Sequence, residues 1–321
     1  LICHGGGGSG LTVLMASSND LGYVRVQNDS SLKVTAPQAL SANRYLMIGQ
    51  GSGNTATGVG NDRGVFYLDA ANLAVNELIG YANGGSNASA THTRRVTSAT
   101  SGSKTLTVGY NGGTGSFDGV IEDGSGGGTT TLVKAGGGTQ TLTGTRDNTY
   151  TGLTVVNGGI LALNKTAGTN AVPGDLVIGA GTLSHSQNHQ IADAATVTMT
   201  NGAAKWLLNG KAETIADLDM QNAGATANAG FVSGGAGKLT VTGTLTHSGG
   251  DITLNSSGAG NVAWIDANAV VNLGGTWTFG VIDGTQVLYV GAGVSRWATA
   301  RRSTSTPARP RRTRSASAAT W

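Results

Sequence analysis

The chain has 321 residues, and its composition differs from that of a typical enzyme: it contains 54 Gly and 4 Pro, and only 12% of its residues are charged. That charged share is about half of the roughly 25% found in ordinary globular domains. Disorder is excluded, because disordered chains combine high charge with few Val, Ile and Leu residues. Collagen is excluded as well, since the glycines do not recur at every third position.

The formal net charge of +3 hides a division between the body of the chain and its end. Residues 294–321 contain seven arginines and no acidic residue. Without these seven, 13 basic and 17 acidic residues remain, which gives the body a balance of −4. The basic charge therefore belongs to the tail, and it does not indicate nucleic-acid binding by the whole chain.

Cysteine and hydropathy exclude two further kinds of structure. Cys3 is the single cysteine, so the chain has no intramolecular disulfide and no cysteine-based metal site. No run of 18 apolar residues is present, so we expect no membrane-spanning helix. Because the sequence begins without Met, we expect residue 1 to be a truncation, with any signal peptide lying upstream.

Repeated glycine-containing segments occupy the first third of the chain. Tyr45–Asn54, Glu77–Asn87 and Leu106–Gly115 align at Gly49, Gly80 and Gly109, and Gly179 marks a weaker fourth copy. Within them, the segment "ANLAVNELIG" could be helical by its apolar spacing. Its β-branched residues and flanking Gly instead predict a pair of strands.

A shorter period begins at Leu153. Val155, Val177, Val197 and Ile215 follow one another at intervals of roughly 20 residues, a length typical of solenoid repeats. The units around them alternate apolar residues with Thr, Asn or Ser, and such alternation with period 2 indicates strands that bury one face. We therefore predict an all-β solenoid with Val155 and Val177 facing the interior; a barrel or sandwich is the less favoured fold.

The segment "LVKAGGGTQTLTGTRDNTYTGLTVVNGGILAL" resembles the autotransporter-associated β-strand repeat. The match is strongest over Thr105–Asn164, and its most specific block is Asn-Thr-Tyr-Thr-Gly. One departure is Gln140–Thr141, where the repeat more usually has an alternating Thr-Leu pair. The matching positions are Lys134, Gly136, Leu142, Gly144, Asn148, Thr149, Tyr150, Thr151, Gly152, Val156, Asn157, Gly158 and Gly159.

The resemblance implies a right-handed parallel β-helix in the passenger region of a protein exported from a bacterial cell. Residues 1–293 would form this solenoid, clearest at 105–164, and the protein would be extracellular or associated with the outer membrane at the cell surface. A C-terminal membrane barrel or another sorting signal would be missing from the sequence. Residues 294–321 would be a disordered tail, interpreted as a frameshift or truncation in preference to a polyanion-binding arm.

Candidate catalytic and metal-binding residues are few. Ser125 lies in Asp-Gly-Ser-Gly, which is not the order of a serine-protease loop, so a turn is favoured. Asp217 and Asp219 share one strand face and could belong to a carbohydrate-active site, as could Glu122 and Asp123. The remaining candidates are His185 and His189, with the spacing of a zinc pair but no third ligand in sequence, and the glycines of Gly49–Gly53, which lack the helix and the Lys of a phosphate loop.

From these observations we predict a structural or adhesive passenger region that is not an enzyme, with no catalytic residue, cofactor or metal ligand assigned. Its partners would be host-cell or glycan surfaces or other cells, and not nucleic acid. Two alternatives stay open: a carbohydrate-active β-helix enzyme, and a surface protein that carries the same repeats but is anchored by another signal. Three or more acids converging with an Arg or Lys in one groove would favour the enzyme.

Overall fold

A computed structural model describes most of the chain between residues 1 and 297. The described residues are 1–4, 12–15, 23–27, 30–37, 40, 42–49, 64–81, 94–223, 231–233, 238–247, 251–255, 261–267, 271–273, 276–279, 284–290 and 296–297.

All regular elements in these ranges are β-strands, and no helix occurs among them. In chain order the strands are β1 (Ile2–His4), β2 (Thr12–Met15), β3 (Val24–Gln27), β4 (Ser30–Val34), β5 (Tyr45–Gly49), β6 (Gly64–Leu68), β7 (Asn72–Val75), β8 (Glu77–Tyr81), β9 (Arg94–Thr97), β10 (Gly102–Val108), β11 (Gly115–Phe117), β12 (Val120–Ile121), β13 (Gly128–Lys134), β14 (Thr139–Gly144), β15 (Thr154–Val156), β16 (Ile160–Lys165), β17 (Leu176–Ile178), β18 (Thr182–His185), β19 (Thr196–Asn201), β20 (Lys205–Leu207), β21 (Glu213–Ile215), β22 (Asp217–Ala223), β23 (Phe231–Ser233), β24 (Lys238–Val241), β25 (Leu245–His247), β26 (Asp251–Asn255), β27 (Asn261–Ala267), β28 (Val271–Leu273), β29 (Thr276–Phe279), β30 (Gly284–Val290) and β31 (Arg296–Trp297).

The strands form a parallel β-solenoid with three faces. The first face holds the sheets β1-β3-β5-β8 and β11-β14-β16-β18-β20-β23-β26-β29. The second face holds β2-β4-β6-β9-β12 and β21-β24-β27-β30, joined by the isolated parallel bridges Glu122–Thr149 and Val172–Ile191. The third face is one ten-stranded sheet, β7-β10-β13-β15-β17-β19-β22-β25-β28-β31. The predicted all-β parallel solenoid is confirmed.

The register of the third face explains the short period seen in the sequence. Leu132 pairs with Thr154, and Thr154 pairs with Leu176, so one coil covers 132–153 and the next covers 154–175. The same register pairs Val155 with Val177, as predicted. The following coil is one residue shorter, because Leu176 pairs with Val197.

The predicted inward orientation of Val155 and Val177 is wrong. Val155 is half-buried between the buried residues Thr154 and Val156, and Val177 alternates in the same way with its neighbours. Both valines therefore point to the outer side of the third face, and the interior is filled by Val156 and its neighbours in the apolar core. Since strand side chains alternate with period 2, an error of one position moves every side chain to the opposite face.

The glycine-based alignment of the early repeats is partly wrong. Gly80 pairs with Ile48 on the first face, so Gly49 and Gly80 differ by one position in register. Gly109 follows β10, which lies on the third face. The successive pairings of β10, β13, β15 and β17 make Gly109 equivalent to Gly179, and not to Gly49 or Gly80. Ile215, counted as the fourth member of the short period, lies in β21 on the second face.

The segment "ANLAVNELIG" forms two strands, as predicted. It contains β7 and the first four residues of β8, and Asn76 separates them. The main-chain N–H groups of Asn111 and Gly113 donate to Asn76 Oδ1 at 3.0 and 2.9 Å. The short polar side chain thus satisfies the backbone of the corner in the next coil.

One side chain spans the break between the two sheets of the first face. Gln140 in β14 lies beside Gly115 in β11 and reaches past it to Leu78 in β8. Its Nε2 donates to Leu78 O at 2.9 Å, and its Oε1 accepts from Leu78 N at 3.2 Å. A Cβ at position 115 would lie 2.6 Å from Leu78 O, so only Gly leaves room for this contact. The departure of Gln140 from the usual repeat therefore has a structural reason.

Within the tail, the structure describes β31, in which Arg296 and Trp297 pair with Asn272 and Leu273. The rest of 294–321 lies outside the described residues. The division at residue 293 and the interpretation of the tail stay predictions.

Candidate functional site

The block Asn-Thr-Tyr-Thr-Gly forms a corner that ties three successive coils together. Asn148 is buried; its Oδ1 accepts from Ile121 N at 3.0 Å, and its Nδ2 donates to Ala171 O at 2.8 Å. Backbone bonds from Thr149 N to Ile121 O at 3.0 Å and from Asn148 N to Asn170 O at 2.9 Å link the same coils, so the carboxamide supplements a short ladder on the second face. The most specific residues of the repeat are structural.

The neighbouring residues of the block serve the same corner. The hydroxyl of buried Tyr150 lies 2.6 Å from Thr154 Oγ1, and the Thr151 hydroxyl and N–H both donate to Asp123 Oδ2. A Cβ at Gly152 would lie 2.2 Å from Thr130 O, so a larger residue would push the coils apart.

Lys134 and Lys165 are fully buried inside the solenoid, where sequence reasoning would not place them. Lys134 Nζ donates to the carbonyls of Ala135, Gly136 and Gly158, the last at 3.2 Å. Lys165 Nζ donates to Gly119 O and Thr143 O, both at 3.0 Å. Both ammonium groups satisfy corner carbonyls of adjacent coils, and burial lowers the pKa of each to about 8.

We expect the free energy of unfolding to rise with pH between about 8 and 10 because of these lysines. In this window the unfolded chain keeps its lysines protonated near their ordinary pKa of 10.5, while the folded chain releases the protons. Each lysine contributes at most about 1.4 kcal/mol per pH unit. Urea unfolding of the native chain and of Lys165→Met at pH 8, 9 and 10 measures the slope. Equal slopes for the two proteins would contradict the assignment.

A polar cleft opens on the second face, where the ladder is interrupted. Its volume is about 600 Å³, and its charged lining comes from Arg95, Glu122, Arg146 and Asp147. Val120, Thr145 and Thr149 complete the lining. Arg95 Nε donates to Glu122 Oε1 at 2.8 Å, with Nη2 bound to the same oxygen. Asp147 Oδ1 accepts from Asn170 N at 2.6 Å.

The cleft presents donors and acceptors of both charges. Arg146, Asp147, Thr145 and Thr149 are exposed, and Arg95 is 44% exposed in its side chain. Such a surface suits a ligand rich in hydroxyl groups more than an apolar one. Thr145, Arg146, Asp147 and Thr149 are neighbours in the sequence, and Thr149 belongs to the Asn-Thr-Tyr-Thr-Gly block. The coil register adds the remaining lining residues from the two preceding coils.

The predicted catalytic candidates occupy structural positions. Ser125 is exposed in a turn, as favoured from the sequence. Asp123 accepts the N–H groups of Thr130 and Thr151, the former at 2.7 Å. Asp217 and Asp219 flank buried Leu218 on one outer face, as expected; Asp217 accepts from Thr244 N at 2.6 Å and Asp219 from Gln221 Nε2 at 2.8 Å. Of Gly49–Gly53, only Gly49 lies among the described residues.

His185 and His189 differ sharply in environment. His185 is buried against Trp206, with ring centroids 5.9 Å apart, and burial lowers its pKa to about 3. His189 is exposed, with a left-handed backbone at φ 51°. The sequence did not point to Glu213, which is buried at the start of β21 with Oε2 3.5 Å from His185 Nδ1; burial raises its pKa to about 7.

Comparison with known proteins agrees with this geometry. The family described as Passenger-associated-transport-repeat matches residues 132–163, which include β14, β15 and the corner around Asn148. The chain carries a passenger-associated transport repeat. The resemblance to the autotransporter-associated repeat predicted from the Asn-Thr-Tyr-Thr-Gly block is thereby confirmed.

A curated relative extends the similarity beyond this repeat. The adhesin BmaC autotransporter of Brucella suis biovar 1 (strain 1330) is 34% identical over 154 residues, which is 48% of this chain and 4% of that protein. The chain thus matches a small part of a much longer adhesin. No solved structure shows a significant match. Within the described ranges, no stretch forms an apolar helix of the length needed to cross a bilayer.

Proposed function

We propose that the chain is a segment of the passenger region of a bacterial autotransporter-like protein, displayed at the cell surface, where it acts as a scaffold and an adhesive surface. The observation that carries this proposal is the matched repeat, which builds consecutive coils joined by parallel ladders on the first and third faces. The adhesin name of the Brucella relative supports the adhesive part.

The scaffold role rests on how each coil is held by its neighbours. Apolar rows form one continuous core, and parallel ladders link coil to coil on three faces. Where the second face lacks regular strands, buried side chains such as Asn148 and Gln190 add to the backbone hydrogen bonds that link the coils. Each coil is stabilised by the coils beside it, as in other solenoids.

The adhesive role centres on the polar cleft, and its partner class is the glycans of host-cell or other cell surfaces. Arg146 and the threonines offer donors to sugar hydroxyl and carboxylate oxygens, and Asp147 offers an acceptor. The ion pair between Arg95 and Glu122 orders one wall of the cleft in advance of binding. An ordered wall reduces the entropy lost on binding.

The proposed function is non-enzymatic. The cleft contains two acids, Glu122 and Asp147, one fewer than the convergence that would favour a carbohydrate-active enzyme. Both acids already accept hydrogen bonds, from Arg95 and from the Asn170 N–H. Those contacts fit a binding surface, since a general acid must keep its proton for the substrate.

Beads coated with the chain should adhere to cultured epithelial cells, and periodate oxidation of the cell-surface glycans should reduce adhesion several-fold. The variant Thr145→Ala/Arg146→Ala removes two cleft donors and should reduce adhesion to a similar extent. The matched control is Arg44→Ala, which removes an exposed arginine outside the cleft. Cleft and control variants that adhere equally well would refute the cleft, and adhesion insensitive to periodate would refute glycans as the partner.

A further inference from the structure

A cluster of three metal-ligating side chains lies on the second face, away from the polar cleft. One ligand atom each of His189, Asp193 and Glu213 lies within 4.8 Å of the other two. His189 and Asp193 belong to the corner between β18 and β19, and Glu213 opens β21 in the next coil. The cluster therefore joins two successive coils.

The positions of the three side chains suit capture of an ion. Glu213 is fixed, because its Oε2 accepts from Gln190 N at 2.7 Å and Ile191 N at 3.2 Å, and its Oε1 accepts from Thr214 N at 3.0 Å. His189 and Asp193 are exposed and can adjust by rotation of their side chains. Tetrahedral zinc with bonds of about 2.1 Å needs ligand atoms roughly 3.4 Å apart, a small closure from the observed arrangement.

A buried histidine provides a second and independent observation. His185 is 1% exposed, and its Nδ1 faces Glu213 Oε2 at 3.5 Å. The backbone of Gln187 lies near its ring, but neither ring nitrogen makes a hydrogen bond of good geometry. Buried polar atoms are normally paired, so an imidazole directed at the cluster in this way requires an explanation. A small approach would let this imidazole donate a hydrogen bond to the Glu213 carboxylate, as the outer partners of metal-bound carboxylates commonly do.

The electrostatics of the cluster point in the same direction. Asp193 is exposed and Glu213 is buried, and one carboxylate oxygen of each lies within 4.8 Å of the other. Two carboxylates thus approach each other beside an imidazole. A divalent cation would compensate both charges at once.

We propose that His189, Asp193 and Glu213 bind one divalent transition-metal ion of the zinc type, and that His185 orients the Glu213 carboxylate. An imidazole with two carboxylates is a ligand set that zinc accepts, whereas calcium prefers oxygen ligands alone. Because the ligands come from two coils, the ion would staple the solenoid at this corner. This inference is independent of the proposed adhesive function.

The full chain, prepared without a tag and freed of metal with a chelator, should bind zinc chloride at 1:1 stoichiometry in calorimetry. Its thermal midpoint should rise with zinc. His189→Asn removes the imidazole and keeps a residue that tolerates the left-handed backbone, and Asp193→Asn removes one charge. Each should weaken zinc binding at least tenfold, while Asp219→Asn, from the outer acidic pair on β22, should bind zinc as the native chain does.

Cobalt gives a spectroscopic check that a merely structural role of these residues would not change. Cobalt bound by the native chain should show visible absorption typical of low coordination, and His189→Asn should lose it. The proposal is overturned by absence of saturable zinc binding, by equal zinc affinity in native, His189→Asn and Asp193→Asn chains, or by saturable binding of calcium in place of zinc.

Discussion

Replacing Val156 with aspartate is expected to unfold the coils around β15, with a loss on the order of 4 kcal/mol in the free energy of unfolding. Val156 is fully buried, pairs with Lys134 and Ile178 in the adjacent coils, and belongs to the apolar core. The ladder partner of this position, Lys134, carries an ammonium group that is already bound to three carbonyls and so is not free to compensate a new carboxylate. Urea unfolding followed by circular dichroism measures the loss.

The neighbouring substitution Val155→Asp is the matched control. It introduces the same side chain one position earlier, on the outer side of the same strand. We expect a change within about 1 kcal/mol, the span of strand propensities at half-exposed positions. Equal losses for the two variants would show that the inside and outside of β15 have been misassigned.

The second large effect is expected for Asn148→Leu, which should cost on the order of 4 kcal/mol, because two buried polar groups lose their partner at once. Leucine has similar bulk but leaves Ile121 N–H and Ala171 C=O without their side-chain partner in a buried corner. Each orphaned buried group costs about 1–3 kcal/mol. Thermal unfolding should show a lower midpoint, and native-state hydrogen exchange should show earlier exchange of the Ile121 amide.

Thr149→Ala is the control for this corner, because Thr149 is the adjacent, exposed residue of the same block. Its stability should differ from that of the native chain by less than about 0.5 kcal/mol. If Asn148→Leu were as stable as Thr149→Ala, the carboxamide would not be the link between the three coils.

The coil period was predictable, because it follows from local chemistry. The alignment of the early glycines was only partly right, since Gly49 and Gly80 differ by one position and Gly109 follows a strand of another face. Val155 and Val177 occupy equivalent positions in adjacent coils, as predicted, and the Asn-Thr-Tyr-Thr-Gly block forms a corner of the solenoid. The strand pair in "ANLAVNELIG" was predictable for the same reason, because β-branched residues on both sides of a polar corner favour two strands over a helix.

The inside of β15 was not predictable, because hydropathy alone favours Val over Thr in the core. Thr154 takes the buried position since the hydroxyl of Tyr150 satisfies its Oγ1 at 2.6 Å. This places Val155 outside and Val156 inside. Tyr150, the residue that decides which side of β15 is buried, lies in the corner before that strand. The period-2 pattern of the strand carries no information about a contact with a corner residue.

The candidate sites escaped the sequence for a geometric reason. The cleft combines Arg95 with Arg146, and the cluster combines His189 with Glu213, so each depends on the register between coils. The pair His185 and His189 was visible as a spacing, but of the two only His189 is a proposed ligand. Asp193 lies in the same corner as His189, and Glu213 lies in the following coil. Coil lengths vary, as the slip by one position at the pairing of β17 with β19 shows, so that register could not be read in advance.

The contact of Gln140 with Leu78 has a consequence for how the solenoid opens. In a one-dimensional array, opening of one coil spreads to the next in proportion to the coupling between them. Between β8 and β11 the first face contributes one carboxamide in place of a ladder, while β7–β10 and β9–β12 still pair. The coils before Gly115 are thus coupled less strongly to those after it. Fraying that starts at the first coils would pause at this junction and leave the repeat-bearing block closed.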